Sequence, residues 1–332
     1  DTYTGDLKWE TTSQFNVGVD LSLFNNRLRM TADYYRKKTT DLLNNVEMPR
    51  SSGYTTALRN IGSIRNSGFE LQLDGRIIDR AVKWDLGVNF SLNRSKVLVL
   101  SEDKDIFGGE LDNTILKDQL NLMRVGEPMY VFYGYVEDGY DENGHIVYKN
   151  MDDDPAITAA DKTIIGDPNP DFLVNLTTAV SYKGFTLSAF FQSSIGNDIY
   201  SLSMAAQAYD YGYNGNTLRE VYYNHWTPEN PTAKYPNLDQ TSYKMSDRFV
   251  YDGSFVRLKN LELAYDVPCA RSKFIKRARV YVSAQNLFTI TSYPFWDPDI
   301  NANGGGSSMI QGVDSYCYPS ARTYTIGCRL TF

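Results

Sequence analysis

The sequence predicts an all-β fold, a transmembrane antiparallel β-barrel to which this chain contributes about nine spanning strands. Three observations carry that prediction. Nine segments, each roughly nine to fourteen residues long, alternate apolar and polar residues with a period of two, the mark of a strand with one oily and one wet face. Short turns and long loops separate these segments in the unequal manner of outer-membrane barrels. The chain also ends in ARTYTIGCRLTF (residues 321–332), where Tyr324, Ile326, Cys328, Leu330 and Phe332 line one face and the last residue is a bare aromatic.

The strands follow in order. Phe15, Val17, Val19, Leu21 and Leu23 alternate with Gln14, Asn16, Gly18, Asp20 and Ser22; the turn FNNR then leads to Leu28, Met30, Ala32 and Tyr34. Phe69, Leu71, Leu73 and Ile77 form the next apolar row, and after a DRA turn come Val82, Trp84, Leu86, Val88, Phe90 and Leu92. A hairpin joins 172–182 to 185–191 through a KG turn, and the last three strands fall at about 255–267, 278–290 and 324–332. The long connections are expected at about 38–65, 96–171, 196–254 and 291–321.

Strand length decides between membrane and soluble versions of the fold. Soluble strands most often run about 5–6 residues, whereas bilayer-spanning strands need about 9–11. A large soluble β-sandwich or β-helix with one exposed face is the alternative, but a sandwich has a dry inner layer, and here polar residues stand opposite nearly every oily position. No run of 18 apolar residues is present, so a transmembrane helix is not expected. A mean hydropathy of −0.41 is compatible with a barrel, because half of each strand faces away from lipid. Nine is an odd number, and an open sheet would leave unpaired edges in lipid. The chain is therefore expected to be the C-terminal portion of a larger barrel.

Composition narrows the chemistry. The net charge of −7 lacks the basic footprint of a nucleic-acid binder. Cys269, Cys317 and Cys328 are odd in number with no CxxC, which gives neither a disulfide framework nor a zinc site. His145 and His225 belong to no metal spacing, and there is no GxSxG elbow or phosphate loop, so no enzymatic activity is expected.

Several stretches, in order and across essentially the whole chain, resemble the C-terminal barrel of SusC/RagA-like TonB-dependent outer-membrane transporters. They are LKWETTSQFNVGVDL (7–21), DYYRKKTTDLL (33–43), NIGSIRNSGFELQL (60–73), IIGDPNPDF (164–172), HWTPENPTAKYP (225–236), DGSFVRLKNLELAYDVP (252–268), VYVSAQNLFTIT (280–291), DPDI (297–300) and YPSARTYTIGCRLTF (318–332). The resemblance implies a 22-stranded barrel in the outer membrane of a Gram-negative bacterium. It also implies an N-terminal plug lying outside residues 1–332, energy from the TonB complex, and a SusD-like surface lipoprotein as partner. The implied function is import of an oligomeric nutrient, glycan favoured over peptide. It further implies that Tyr324 and Phe332 form the signal read by the barrel-assembly machinery; equally, Phe332 is one more lipid-facing residue. A passive porin or surface-adhesion barrel without energy coupling is the alternative, and an upstream plug and TonB-contacting segment would decide against it.

Two groups of loop residues are candidate sites. Residues 137–171 hold ten acids against two lysines. Within them Asn150, Asp152, Asp154 and Asp161 fall at positions 1, 3, 5 and 12 of an EF-hand-style loop, a hard-oxygen set suited to calcium. Pro155 replaces the glycine of position 6, and its fixed φ opposes the sharp turn needed there. The aromatic residues Tyr209, Tyr211, Tyr213, Trp226, Tyr293 and Trp296 are the ligand-contact candidates, since aromatic faces beside amides and acids suit sugar rings or peptide side chains. The competing reading is that these loops pack on one another over the barrel mouth. Lumen-facing Arg29, Glu70, Arg76, Lys83, Arg257 and Lys259 are expected to pair with the plug.

Overall fold

The computed structural model describes residues 7–47, 51, 53, 56–101, 104–112, 116–209, 216–269, 274–300 and 310–332. Its centre is one antiparallel sheet of nine strands in which each strand pairs with the next long strand in the chain. They are β1 (Thr11–Leu23), β2 (Leu28–Glu47), β3 (Thr56–Asp79), β4 (Val82–Leu100), β5 (Phe172–Tyr182), β6 (Phe185–Ile195), β7 (Phe255–Val267), β8 (Arg277–Thr291) and β9 (Thr323–Thr331). All nine predicted strands are present.

The register explains why alternation was so regular. Residues directly opposite one another in a ladder share a face, and the apolar rows connect from strand to strand. Val19 pairs with Ala32, Ala32 with Leu71 and Leu71 with Phe90. Phe90 then pairs with Val174; farther round, Leu187 meets Leu263, Leu263 meets Val282 and Val282 meets Ile326. The result is a continuous apolar belt on the outer face. One polar group in the belt is satisfied locally: the Trp84 indole N–H donates to Thr178 Oγ1 at 2.9 Å, which suits a medium without water. The other face is polar, with pairs such as Gln72–Asn89, Asn89–Asn175 and Asn175–Gln192.

Two of the short turns follow from their residues. Phe24, Asn25 and Asn26 all have positive φ, as do Lys183 and Gly184; asparagine and glycine are the residues that adopt this region most readily in tight hairpins. Inside the wall, a Cβ on Gly327 would lie 2.6 Å from the Tyr281 ring, and one on Gly68 would lie 2.6 Å from Tyr35. Each glycine thus makes room for the aromatic ring of its cross-strand partner. The Tyr35 hydroxyl then donates to Asn93 Oδ1 at 3.0 Å, one strand farther on.

The long connections differ from expectation in extent and content. β2 and β3 continue to Glu47 and from Thr56, and β4 continues to Leu100, so the first two loops are shorter than 38–65 and 96–171. Apolar alternation reports depth in the bilayer, whereas hydrogen-bond pairing runs on above it. Over the barrel mouth the loops build their own core from Leu116, Leu120, Phe132, Tyr200, Met245, Phe249 and Val313, among others. Helix α1 (Leu202–Tyr209) lies almost wholly inside that core, and α2 (Arg219–Tyr223) lies beside it, burying Val221.

Candidate functional site at the barrel mouth

The loop canopy is fixed to the wall by a buried ion pair. Arg257 on β7 faces inward, and its side chain is 2% exposed. It pairs with Asp297 and, at 3.3 Å, with Asp299, and its Nε donates to Thr289 Oγ1 at 2.9 Å. Asp297 also accepts the backbone N–H groups of Asp299 and Ser320, both at 2.9 Å. Burial alone would raise the Asp297 pKa, but these two amides and the guanidinium outweigh it and hold the carboxyl below its usual range. Expected from sequence to pair with a plug, Arg257 instead finds its partners within this chain, in the DPDI segment. Arg76 does the same: its Nε bonds Asp85 at 2.8 Å.

Beside this latch lies a cavity of about 240 Å³. Pro168, Pro170 and Pro298 form its apolar side, while Asn175, Gln192 and Asn197 supply amides. It sits between the DPNP and DPDI segments, over the polar inner face of β5 and β6. The same loop presents Trp296, which is 57% exposed and stacked on Phe295 with ring centroids 4.7 Å apart. A ring pre-stacked on one face and open on the other is poised to meet a planar or ring-shaped ligand group.

The six aromatic candidates divide. Trp296 is open, and Trp226 is half-buried with its ring against Gly144. Tyr209 and Tyr293 are each only 4% exposed. Tyr209 stacks on Tyr243 at 3.7 Å and meets Phe249 edge-on. The Tyr293 hydroxyl donates to Asp314 Oδ2 at 2.6 Å and lies 2.9 Å from Ser201 Oγ. Both therefore hold the canopy together, as the packing alternative expected. Tyr211 and Tyr213 lie outside the described residues.

The acidic loop is held by itself. Asn150, Asp152 and Asp154 each accept the N–H two residues on, at 3.0, 2.9 and 3.0 Å. Asp161 takes the N–H of Met151 on one carboxylate oxygen and that of Thr158 on the other, both at 2.7 Å. Those donors depress its pKa. Thr158 returns the contact as a capping box over Ala159–Asp161. Among the described residues no group of three or more His, Cys, Asp or Glu is placed to hold a metal ion. At the far end of the chain, Tyr324 and Phe332 are each 71% exposed.

The family described as TonB dependent receptor-like, beta-barrel matches residues 1–287. The TonB-dependent receptor P3 of Formosa agariphila is 34% identical, over 98% of this chain and 34% of its own length. The TonB-dependent receptor SusC of Bacteroides thetaiotaomicron is 29% identical, over 99% of this chain and 33% of its own. A solved structure titled the RagAB peptide importer in the closed-closed state superimposes with a TM-score of 0.84 at 29% identity, covering 98% of this chain and 36% of that one. The chain thus spans about a third of the length of the relatives it matches. With its nine-stranded wall and outward apolar belt, the chain belongs to the TonB-dependent receptor β-barrel family of the outer membrane, in its SusC/RagA-like branch.

Proposed function

We propose that the chain supplies wall and loop canopy to a TonB-dependent importer that takes up an oligomeric nutrient together with a SusD-like surface lipoprotein, and that the nutrient is a glycan. The Trp296 ring, stacked behind by Phe295 and held at the mouth by the Arg257–Asp297 pair, carries the reading. An open aromatic face two residues from Pro298, which lines a cavity with amides, suits a sugar ring whose apolar face stacks while its hydroxyls reach Asn175, Gln192 or Asn197. In this mechanism the strands are a rigid frame, the loops supply affinity at the outer face, and energised movement behind them opens the path.

A peptide is the second reading, because similar solved structures are titled as peptide transporters. The test is growth of a strain whose own copy carries Trp296→Ala, on oligosaccharides or on oligopeptides as sole nutrient. Loss on oligosaccharides alone supports the glycan. Loss on oligopeptides alone replaces it with the second reading. Uptake that survives deletion of TonB would sink energised import and leave the passive barrel.

A further inference from the structure

The outer face of the wall is not apolar along its whole height. Above the belt at the loop end, the row that runs through Tyr34, Phe69 and Leu92 is followed two residues on by Arg36, Ser67 and Arg94, and two further by Lys38, Arg65 and Lys96. Register places all of these on the lipid-facing side, because each step of two keeps the face. The other face of the same strands agrees: the adjacent Ile64 and Val97 are inward and pack with Leu100, Met123, Ile106 and Met129 under the canopy. Arg65 and Lys96 therefore point away from the protein.

Five cations thus stand in two tiers directly above an aromatic rim of Tyr34 and Phe69, with Phe15 opposite Arg36 in the lower tier. At about 3.3 Å per residue, the tiers lie roughly 7 and 13 Å along the strand from Tyr34. Arg94 is committed to Asp171 at 2.7 Å. Among the described residues, Arg36, Lys38, Arg65 and Lys96 have no ion pair or side-chain hydrogen bond. Mutual repulsion across the ladder, as at Arg65 opposite Lys96, goes uncompensated among the described residues. The patch is local. At the same end of β8 the outer face stays apolar through Phe288 and Ile290, paired with Leu258 and Val256.

We propose that this patch on β2, β3 and β4 binds the phosphorylated headgroup of a lipid in the outer leaflet, with its acyl chains on the adjoining belt. Height decides the occupant: cations two to four residues above an apolar belt meet headgroups, not chains and not bulk water. Continuity with the belt supplies the apolar half of the site, and anionic phosphate supplies the missing counter-charge. Each basic side chain near an anionic lipid surface strengthens binding about fivefold.

Native mass spectrometry of the intact protein, extracted from outer membranes in a neutral detergent, tests the proposal with bisphosphorylated lipid A as probe. The variant Arg36→Gln/Lys38→Gln/Arg65→Gln/Lys96→Gln is expected to bind it about tenfold or more weakly. A control with Arg80→Gln/Lys83→Gln/Lys183→Gln/Arg277→Gln, at the short-turn end, is expected to bind like the parent. Lipid A stripped of phosphate should bind parent and patch variant alike. The double variant Lys38→Gln/Lys96→Gln, expected to show an intermediate loss, decides the matter if the fourfold variant fails to keep its folded, heat-modifiable gel mobility. Equal lipid A binding by patch variant and parent overturns the proposal. So does equal binding of the stripped lipid to the parent, or displacement by inorganic phosphate at matching concentration, which would mark a free-anion site.

Discussion

Single side chains in the canopy carry more of the fold than their loop positions suggest. Arg257 is the clearest, because its replacement leaves Asp297 buried without its counter-charge. Arg257→Met is expected to cost about 3–5 kcal/mol, read as a lower melting temperature and as chymotryptic cleavage within 291–321, a span that holds Phe295, Trp296 and Tyr316. Tyr293→Phe removes one donor to Asp314 and should cost about 1–3 kcal/mol. Two canopy carboxylates also set a pH dependence. Asp161 and Asp297 both have pKa values below the ordinary carboxylate range. Their stabilisation is complete above the unfolded value of about 3.9 and is lost as pH falls through the lower folded value. Protease resistance of the canopy is therefore expected to hold from neutral pH to about 4 and to fail below that. Because backbone donors already occupy both Asp161 oxygens, EDTA at neutral pH should leave the melting temperature unchanged. A drop with EDTA would assign that loop to calcium.

At the scale of the element, strands were legible because each obeys one rule with two faces. Val17, Val19 and Leu21 could be assigned to lipid from their spacing alone, and the observed register agrees. Strand ends were less legible. Hydropathy alternation stops near Tyr34, while pairing continues through Glu47. The ladder needs only backbone groups, and any sequence without proline can supply them. The same rule gives a prediction within the wall. Gly327→Val would drive a side chain into the Tyr281 ring on the neighbouring strand, at the last pairing of the chain. It is expected to lower the heat-modifiable, folded fraction in outer membranes, while Thr325→Val, on the same strand and without that contact, should not. Deleting Phe332 tests the assembly signal in the same assay. A strong loss of folded protein supports the signal, and a loss no greater than that of Ile326→Ala makes Phe332 an ordinary lipid-facing residue.

For the whole molecule, the barrel was readable and the canopy was not. A barrel wall is built from local periodicity, but the canopy core joins Phe132, Tyr200, Met245 and Val313 from four separate segments, and no spacing announces such contacts. That is why Tyr209 and Tyr293 read as ligand aromatics in sequence and prove to be buried. The latch was half legible: DPDI stood out as a motif, but its partner, Arg257, could be found only through the fold. The two layers also differ in what holds them. The wall is continuous hydrogen-bonded ladder from β1 to β9, whereas the canopy depends on apolar packing around short strands and α1. A cavity in the canopy should therefore loosen the canopy without opening the wall. Phe132 is fully buried with its ring edge-on to Tyr200, and Phe132→Ala is expected to remove about 3–5 kcal/mol from that core. Trypsin should then cut between residues 100 and 170, while folded gel mobility, which reports the closed ladder, stays that of the parent. If mobility is lost together with protease resistance, wall and canopy are one cooperative unit, and the loops are as much a part of the barrel's stability as its strands.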